Sequence, residues 1–258
     1  MKNFITVSLA LATLSSSVFG ADYGKLTGQV VLDGKAPALK PKVEKGNPAA
    51  KDPAICAAQD VPNDEFVVNP ANGGIANCFV FLKTVDKAAI HPSLVASKAP
   101  EVVFDQKNCQ FIPHCLVVRL DQHPLVKSDD GTQHNTFFAP PLNEGQNVLI
   151  GANDRTGVTF PKFKQKERLP TEVKCTIHGW MRAWWLIVDH PYATVTDADG
   201  KFAINDLPVG EHKVVIWQEV SGYVEKELTV TLKANATNDL KQIKAPLAKF
   251  KFAAEALK

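Results

Sequence analysis

Helical periodicity is nearly missing from this chain of 258 residues, and that absence constrains its fold more than any other feature. Short runs rich in β-branched and aromatic residues recur instead, at 26–32, 77–82, 111–120, 148–150, 183–188, 193–195, 213–217 and 228–232. Gly, Pro, Asn or Asp bounds each run, and Asp33-Gly34, Asp130-Gly131 and Asp199-Gly200 read as turns, because Gly tolerates positive φ. The pattern predicts an all-β chain built from antiparallel sandwiches or barrels. Asp197-Ala-Asp199-Gly200 looks like half a calcium loop but lacks the closing Glu, so it reads as a plain β-turn. Residues 234–258 read as a loop with a short amphipathic helix.

Charge and the N-terminus narrow the setting. Lys+Arg number 29 against Asp+Glu 27, so the chain lacks the basic excess of a nucleic-acid binder. Residues 1–20 place Lys2 ahead of an apolar run from Phe4 to Leu14, then small residues before a cut ahead of Ala21. That run is shorter than a helix needs to cross a bilayer core of about 30 Å, so it reads as a cleaved signal peptide. No other stretch is long and apolar enough for stable membrane insertion. The expected location is therefore the periplasm, where disulfides form.

The most informative segment is Cys175-Thr-Ile-His178-Gly-Trp-Met181. It holds a thiolate, an imidazole and a thioether within one short loop that leads straight into a β-rich run. Upstream, His134 precedes Asn135 at the start of another such run. Two His and one Cys, with a weak axial Met, are the donor set of a blue-copper electron-transfer site. Thiolate and thioether suit Cu(I), and imidazole suits both oxidation states. Other metals fit less well: zinc rarely takes Met, and covalent haem and thioredoxin chemistry each need a second Cys in the motif. A cysteine nucleophile with His178 as base would leave Met181 unexplained, and the bland alternative is a buried Cys beside two unrelated His.

Cys175-x-x-His178-x-x-Met181, followed by Arg182 and a strand, resembles the short ligand loop of amicyanins, blue copper proteins of the cupredoxin family, and His134-Asn135 resembles that family's first-ligand strand. The resemblance implies one type 1 copper with His134, Cys175 and His178 as strong ligands and Met181 as the axial one. It also implies that Asn135 and Thr176 tie the two ligand strands together. More broadly, Gly28 to Gly34, Gly73 to Asn77, Pro113-His114 and Asp189 to Trp217 resemble exported bacterial proteins labelled methylamine-utilisation or cupredoxin-like. Tyr192 to Val215, with Leu26 to Pro37, resembles the small regulatory-like β-sandwich of carboxypeptidases. The fold so implied is a Greek-key cupredoxin β-sandwich joined to that smaller sandwich. Its parts would be a signal peptide (1–20), an N-terminal β segment pairing with the C-terminal sandwich plus a connector (21–98), a copper domain (99–190), the regulatory-like sandwich (191–233) and a tail (234–258). Alternatively, the N-terminal strand extends the cupredoxin sheet.

Five cysteines remain to be placed, an odd number. With Cys175 as a ligand, the favoured pairing of the others is Cys56–Cys109 and Cys78–Cys115, the alternative for the second pair being two buried thiols. His114 is either a second metal ligand or a hydrogen-bonded core residue, with the core role favoured. Trp180 is expected in an apolar patch around His178 through which electrons leave. Residues 161–174 carry five basic and two acidic side chains; they either dock an acidic redox partner by steering or form a solvated loop. The functional expectation is an exported electron carrier that is not an enzyme and works with a redox partner protein. The alternative is a cell-envelope binding module in which the β-sandwich binds glycan or protein and the metal is structural.

Overall fold

The computed structural model describes residues 22–258; the expected signal peptide, 1–20, lies outside the described residues. The chain is all-β, as its sequence pattern requires, and the one α-helix among the described residues is a single turn, α1 (Pro53–Cys56). No helix among them is long and apolar enough to cross a membrane. The strands are β1 (Tyr23–Asp33), β2 (Phe79–Leu82), β3 (Glu101–Lys107), β4 (Gln110–Ile112), β5 (Cys115–Arg119), β6 (His123–Val126), β7 (His134–Phe138) and β8 (Gln146–Ile150). They continue as β9 (Val158–Thr159), β10 (Thr171–Lys174), β11 (Arg182–Val188), β12 (Ala193–Val195), β13 (Lys201–Pro208), β14 (Gly210–Gln218), β15 (Gly222–Leu232) and β16 (Thr237–Pro246).

Two sheets enclose the first core. One has the order β13-β1-β16 and the other β12-β2-β14-β15. β1 alternates in the period of a half-buried strand: Leu26 and Val30 point inward, while Lys25 is exposed and Thr27 and Gln29 are half-buried. They pack on Ile75, Val80, Leu82, Tyr192, Leu207 and Ile216. At the turn before β13, Gly200 takes φ +73, and a Cβ there would lie 2.3 Å from the Val30 carbonyl oxygen, so only glycine fits. The Asp197–Gly200 segment is the plain turn expected, closed by Gly200 N–H donating to Asp197 O at 2.9 Å.

The tail departs from expectation. Its first part forms β16, which runs parallel to β1 with Val30 opposite Ile243, and only 247–258 is a loop, with single 3-10 turns at Leu247–Lys249 and Ala254–Ala256. The local pattern is thin, since only Leu240, Ile243 and Ala245 bring apolar side chains to the core. What makes the strand is the free edge of β1, which satisfies its backbone groups. The first and last strands of the described chain thus share one sheet.

Two further sheets, β5-β11-β10-β7-β8 and β4-β3-β6-β9, enclose the second core. Here Trp185, fully buried, is ringed by Phe104, Phe138, Phe160 and Phe163 at centroid distances of 4.9 to 6.4 Å. β1 is not part of the sheet that carries His134. The expected pairing was antiparallel throughout, yet β5 runs parallel to β11, and β3 to β6. A third apolar seam joins the two halves: Phe79, Phe81, Val215 and Trp217 meet Cys115, Leu186 and Val188.

Candidate metal centre

The central three strands of the five-stranded sheet assemble the site. β10 and β11 are an antiparallel pair, Lys174 opposite Arg182, and the loop between them carries Cys175, His178 and Met181. Cys175 N–H donates to Met181 O at 3.1 Å and Met181 N–H to His178 O at 2.9 Å, which folds the loop back on itself. β7 lies on the other side of β10, with Lys174 opposite Phe137, so its first residue, His134, reaches the loop.

The four expected ligands are all buried. His134 Nδ1 lies 3.0 Å from His178 Nδ1, and Cys175 Sγ lies 3.8 Å from His178 Nδ1. The three donor atoms of His134, Cys175 and His178 all fall within 4.8 Å of one another. Met181 joins the same apolar cluster as Cys175.

Each imidazole is anchored at its far nitrogen. His134 Nε2 meets Asp130 Oδ2 at 2.8 Å, and His178 Nε2 meets Asp52 Oδ2 at 2.9 Å. An ionised carboxylate only accepts hydrogen bonds, so each Nε2 carries the proton. In the neutral tautomer, both Nδ1 atoms then present lone pairs to each other and to the sulfur. Three electron pairs converging in a dry site repel unless a cation sits among them. The donor chemistry therefore fits a metal ion, and a soft thiolate with two imidazoles fits copper.

The sulfur is held as a thiolate. Burial alone would raise the Cys175 pKa; with no metal bound, an imidazole of His134 or His178 that takes a second proton, on Nδ1, donates to the sulfur, and together with the backbone N–H groups of Asn135 and His178 this outweighs burial and brings the pKa down to about 6, a proton standing where the metal ion would. Asn135 N–H and His178 N–H approach Sγ at 3.5 and 3.4 Å. Burial likewise works to lower the His134 pKa, and the Asp130 carboxylate outweighs it and raises it. Asn135 ties the strands as expected: its Oδ1 accepts from Thr176 N–H at 2.8 Å, Thr176 Oγ1 at 3.1 Å and Ile177 N–H at 3.3 Å.

Two site residues escape the sequence reading. Asp130, read above only as a turn residue, is 4 % exposed. Besides His134 it accepts from Asn108 N–H at 2.6 Å and Cys109 N–H at 2.9 Å, the two left-handed residues of the β3–β4 turn. Asp52, at the start of α1, also accepts from Thr132 Oγ1 at 2.8 Å. Nothing in the local sequence marks either as a partner of an imidazole.

Several expectations need correction. Trp180 lies beside His178 with ring centroids 5.3 Å apart and is half-buried; its Nε1–H also donates to Cys109 O at 3.1 Å, and its ring packs with Val43, Ala57 and Val61. His178 has no exposed surface, because that N-terminal segment covers it. Only Cys56–Cys109 is a disulfide, with Cα atoms 5.4 Å apart. Cys78 and Cys115 are free buried thiols, their sulfurs turned to the carbonyls of Ile75 and Asn77 rather than to each other. His114 sits apart from the site, as the core reading has it. Its Nε2 bonds Glu219, and its Nδ1 lies 3.0 Å from Asp64 Oδ2.

Comparison with known proteins adds the following. No family profile matches the chain, and no curated protein matches it. Among solved structures it is similar to amicyanin from Paracoccus versutus, with 10% identity over 42% of this chain and 97% of that one, and a TM-score of 0.29. It is also similar to a purple cupredoxin from Nitrosopumilus maritimus, with 14% identity over 35% of this chain and all of that one, at a TM-score of 0.27. A copper-containing nitrite reductase from Thermus scotoductus overlaps 37% of this chain but only 25% of its own length, at 14% identity and a TM-score of 0.28. These overlaps cover less than half of the chain, and the functional reading rests on the geometry of the donors.

Proposed function

We propose that the chain is an exported, mononuclear type 1 copper protein that carries single electrons between redox partner proteins in the periplasm. The observation that carries this reading is the convergence of His134 Nδ1, His178 Nδ1 and Cys175 Sγ in a site sealed from water. Copper held there would supply a one-electron couple between Cu(II) and Cu(I). The chain's own residues do the rest. Asp130 and Asp52 fix the tautomer and tilt of the two rings, and the N–H groups of Asn135 and His178 hold charge on the sulfur. Met181, buried in the folded-back loop, would supply a weak thioether donor to the copper. The β7, β10 and β11 framework keeps the donors in place whatever the charge at their centre, which lowers the cost of moving an electron. The reading is of a carrier and not an enzyme.

The test is to add Cu(II) to the purified chain lacking its leader and record the visible spectrum. An intense sulfur-to-copper charge-transfer band that Cys175→Ser abolishes is expected. A colourless complex would sink the reading. Met181→Gln should keep the band and lower the reduction potential; an unchanged potential removes Met181 from the site.

A further inference from the structure

A cleft of about 730 Å³ opens where the apolar seam between the two halves reaches the surface. Phe81 and Val215 form its floor from β2 and β14, Val188 adds the end of β11, and Leu120 and Leu169 complete it. Three of these, Phe81, Val188 and Val215, belong to the buried seam itself, so the cleft is a continuation of a core and not a surface dimple. Its volume falls in the range of small-molecule sites, roughly 300–1,000 Å³.

The rim carries an excess of cations. Six cationic side chains line the cleft against two carboxylates, although the whole chain is nearly neutral at +2. Three of the cations are paired: Lys83 with Glu227 at 2.6 Å, and Lys87 and Lys166 with Asp189 at 3.4 and 3.1 Å. The second lining carboxylate, Glu167, is buried and accepts from Leu142 N–H and Asn143 Nδ2. Among the described residues no carboxylate lies within 4.0 Å of Lys164, Arg168 or Lys226. Lys226 instead stands 5.8 Å over the ring of Tyr223 at the cleft's edge. His190 adds no charge: its Nε2 meets Leu82 O and its Nδ1 accepts from Tyr192 N–H, which leaves it neutral.

We infer that this cleft binds a small amphipathic anion, a molecule with an apolar body and a single carboxylate, sulfonate or phosphate head. The apolar body would lie on Phe81, Val188 and Val215, and the head would meet Lys164, Arg168 and Lys226. Unpaired cations beside a dry apolar floor disfavour a neutral or cationic amphiphile, and the floor gives nothing to a small hydrophilic anion. The basic stretch 161–174 thereby gains a role other than steering a protein partner. The site is distinct from the metal centre, since Val188 is seven strand residues beyond Met181, about 23 Å at roughly 3.3 Å per residue.

Calorimetric titration of the full chain with decanoate, decanol, decyltrimethylammonium and acetate tests this. Decanoate should bind at least tenfold more tightly than each of the other three. The exposed pair Lys164→Glu with Arg168→Glu should weaken decanoate at least tenfold while leaving the circular dichroism spectrum unchanged. In methyl NMR spectra, decanoate should shift Val188 and Val215. Cys175→Ser should bind decanoate like the parent, which separates this outcome from the fate of the copper reading. Equal binding of all four probes, an unaffected charge-reversal pair, or shifts confined to other methyls would overturn the inference. So would capture by phosphatidylglycerol vesicles without binding of monomeric decanoate, which would mark a lipid surface as the source of the anion.

Discussion

The Oδ2 of Asp52 lies 2.9 Å from Nε2 of His178, joining residues 126 positions apart in the chain. It brings the N-terminal segment down over an imidazole that has no exposed surface. Asp52 adopts φ 52 and ψ 57, a left-handed conformation that Asp tolerates better than most residues. The contact orients the ring and seals it at once.

Removing that carboxylate should loosen the metal. Asp52→Ala frees one ring to rotate and leaves its Nε2–H unpaired, so copper affinity should fall roughly ten- to a hundredfold. Asp52→Asn, which keeps an acceptor oxygen, should lose less. Competition with a chelator of known affinity measures both, and equal affinities for the parent and the Ala variant would show that the contact does not orient the ring.

The disulfide should matter for global stability. Cys56 and Cys109 are separated by 53 positions, and closing such a loop is worth about 4 kcal/mol on the chain-entropy account. The double Ser variant should lower the denaturant midpoint accordingly, with faster hydrogen exchange across 43–61 than elsewhere. A midpoint unchanged within error would mean that the segment is held by Trp180 and Asp52 alone.

A thiol count distinguishes the observed pairing from the expected one. Metal-free protein unfolded without reductant should titrate three thiols, from Cys78, Cys115 and Cys175. A count of one would restore the Cys78–Cys115 bridge. In the folded protein Cys78 should resist alkylation at neutral pH, because burial holds its pKa up at about 12.

The His114 cluster predicts a pH dependence at the join between the halves. Burial works to lower the His114 pKa, but the Asp64 and Glu219 carboxylates outweigh it and raise it from 6.5 to about 10. A raised folded pKa means that the protonated ring favours the folded state. Its stabilisation is fully present below pH 6.5 and fades as pH climbs towards 10. Parent protein should therefore lose stability across that window, by a few kcal/mol, relative to a His114→Gln variant whose profile is flat there. Parallel profiles for the two proteins would show that the ring is neutral in the fold. Glu219 also accepts from Trp184 Nε1 at 2.9 Å, so the cluster links β11 to the end of β14.

Much of the donor set was legible because it is local. Cys175, His178 and Met181 share one loop, where residue types and spacing speak for themselves. His134 was readable only beside Asn135, through a resemblance. Asp52 and Asp130 were not readable, because a carboxylate that anchors an imidazole looks like any N-cap or turn residue until the chain is folded. For a related reason the position of Trp180 in the loop says nothing of the 43–61 segment that packs on it. Cys78 and Cys115 are expected to pair because both lie in β-rich runs that could be neighbours, whereas a bridge depends on the direction in which each sulfur points.

The all-β class, the Asp197–Gly200 turn and a soft-donor loop follow from residue order alone, since period-two alternation, glycine's tolerance of positive φ and ligand spacing all act over a few residues. The pairing of residues 237–246 with β1, the burial of His178 and the basic-rimmed cleft beside the seam emerge only once the chain is folded. Each of those depends on surfaces brought together from distant stretches, where apolar burial and backbone pairing, rather than local preference, set the outcome.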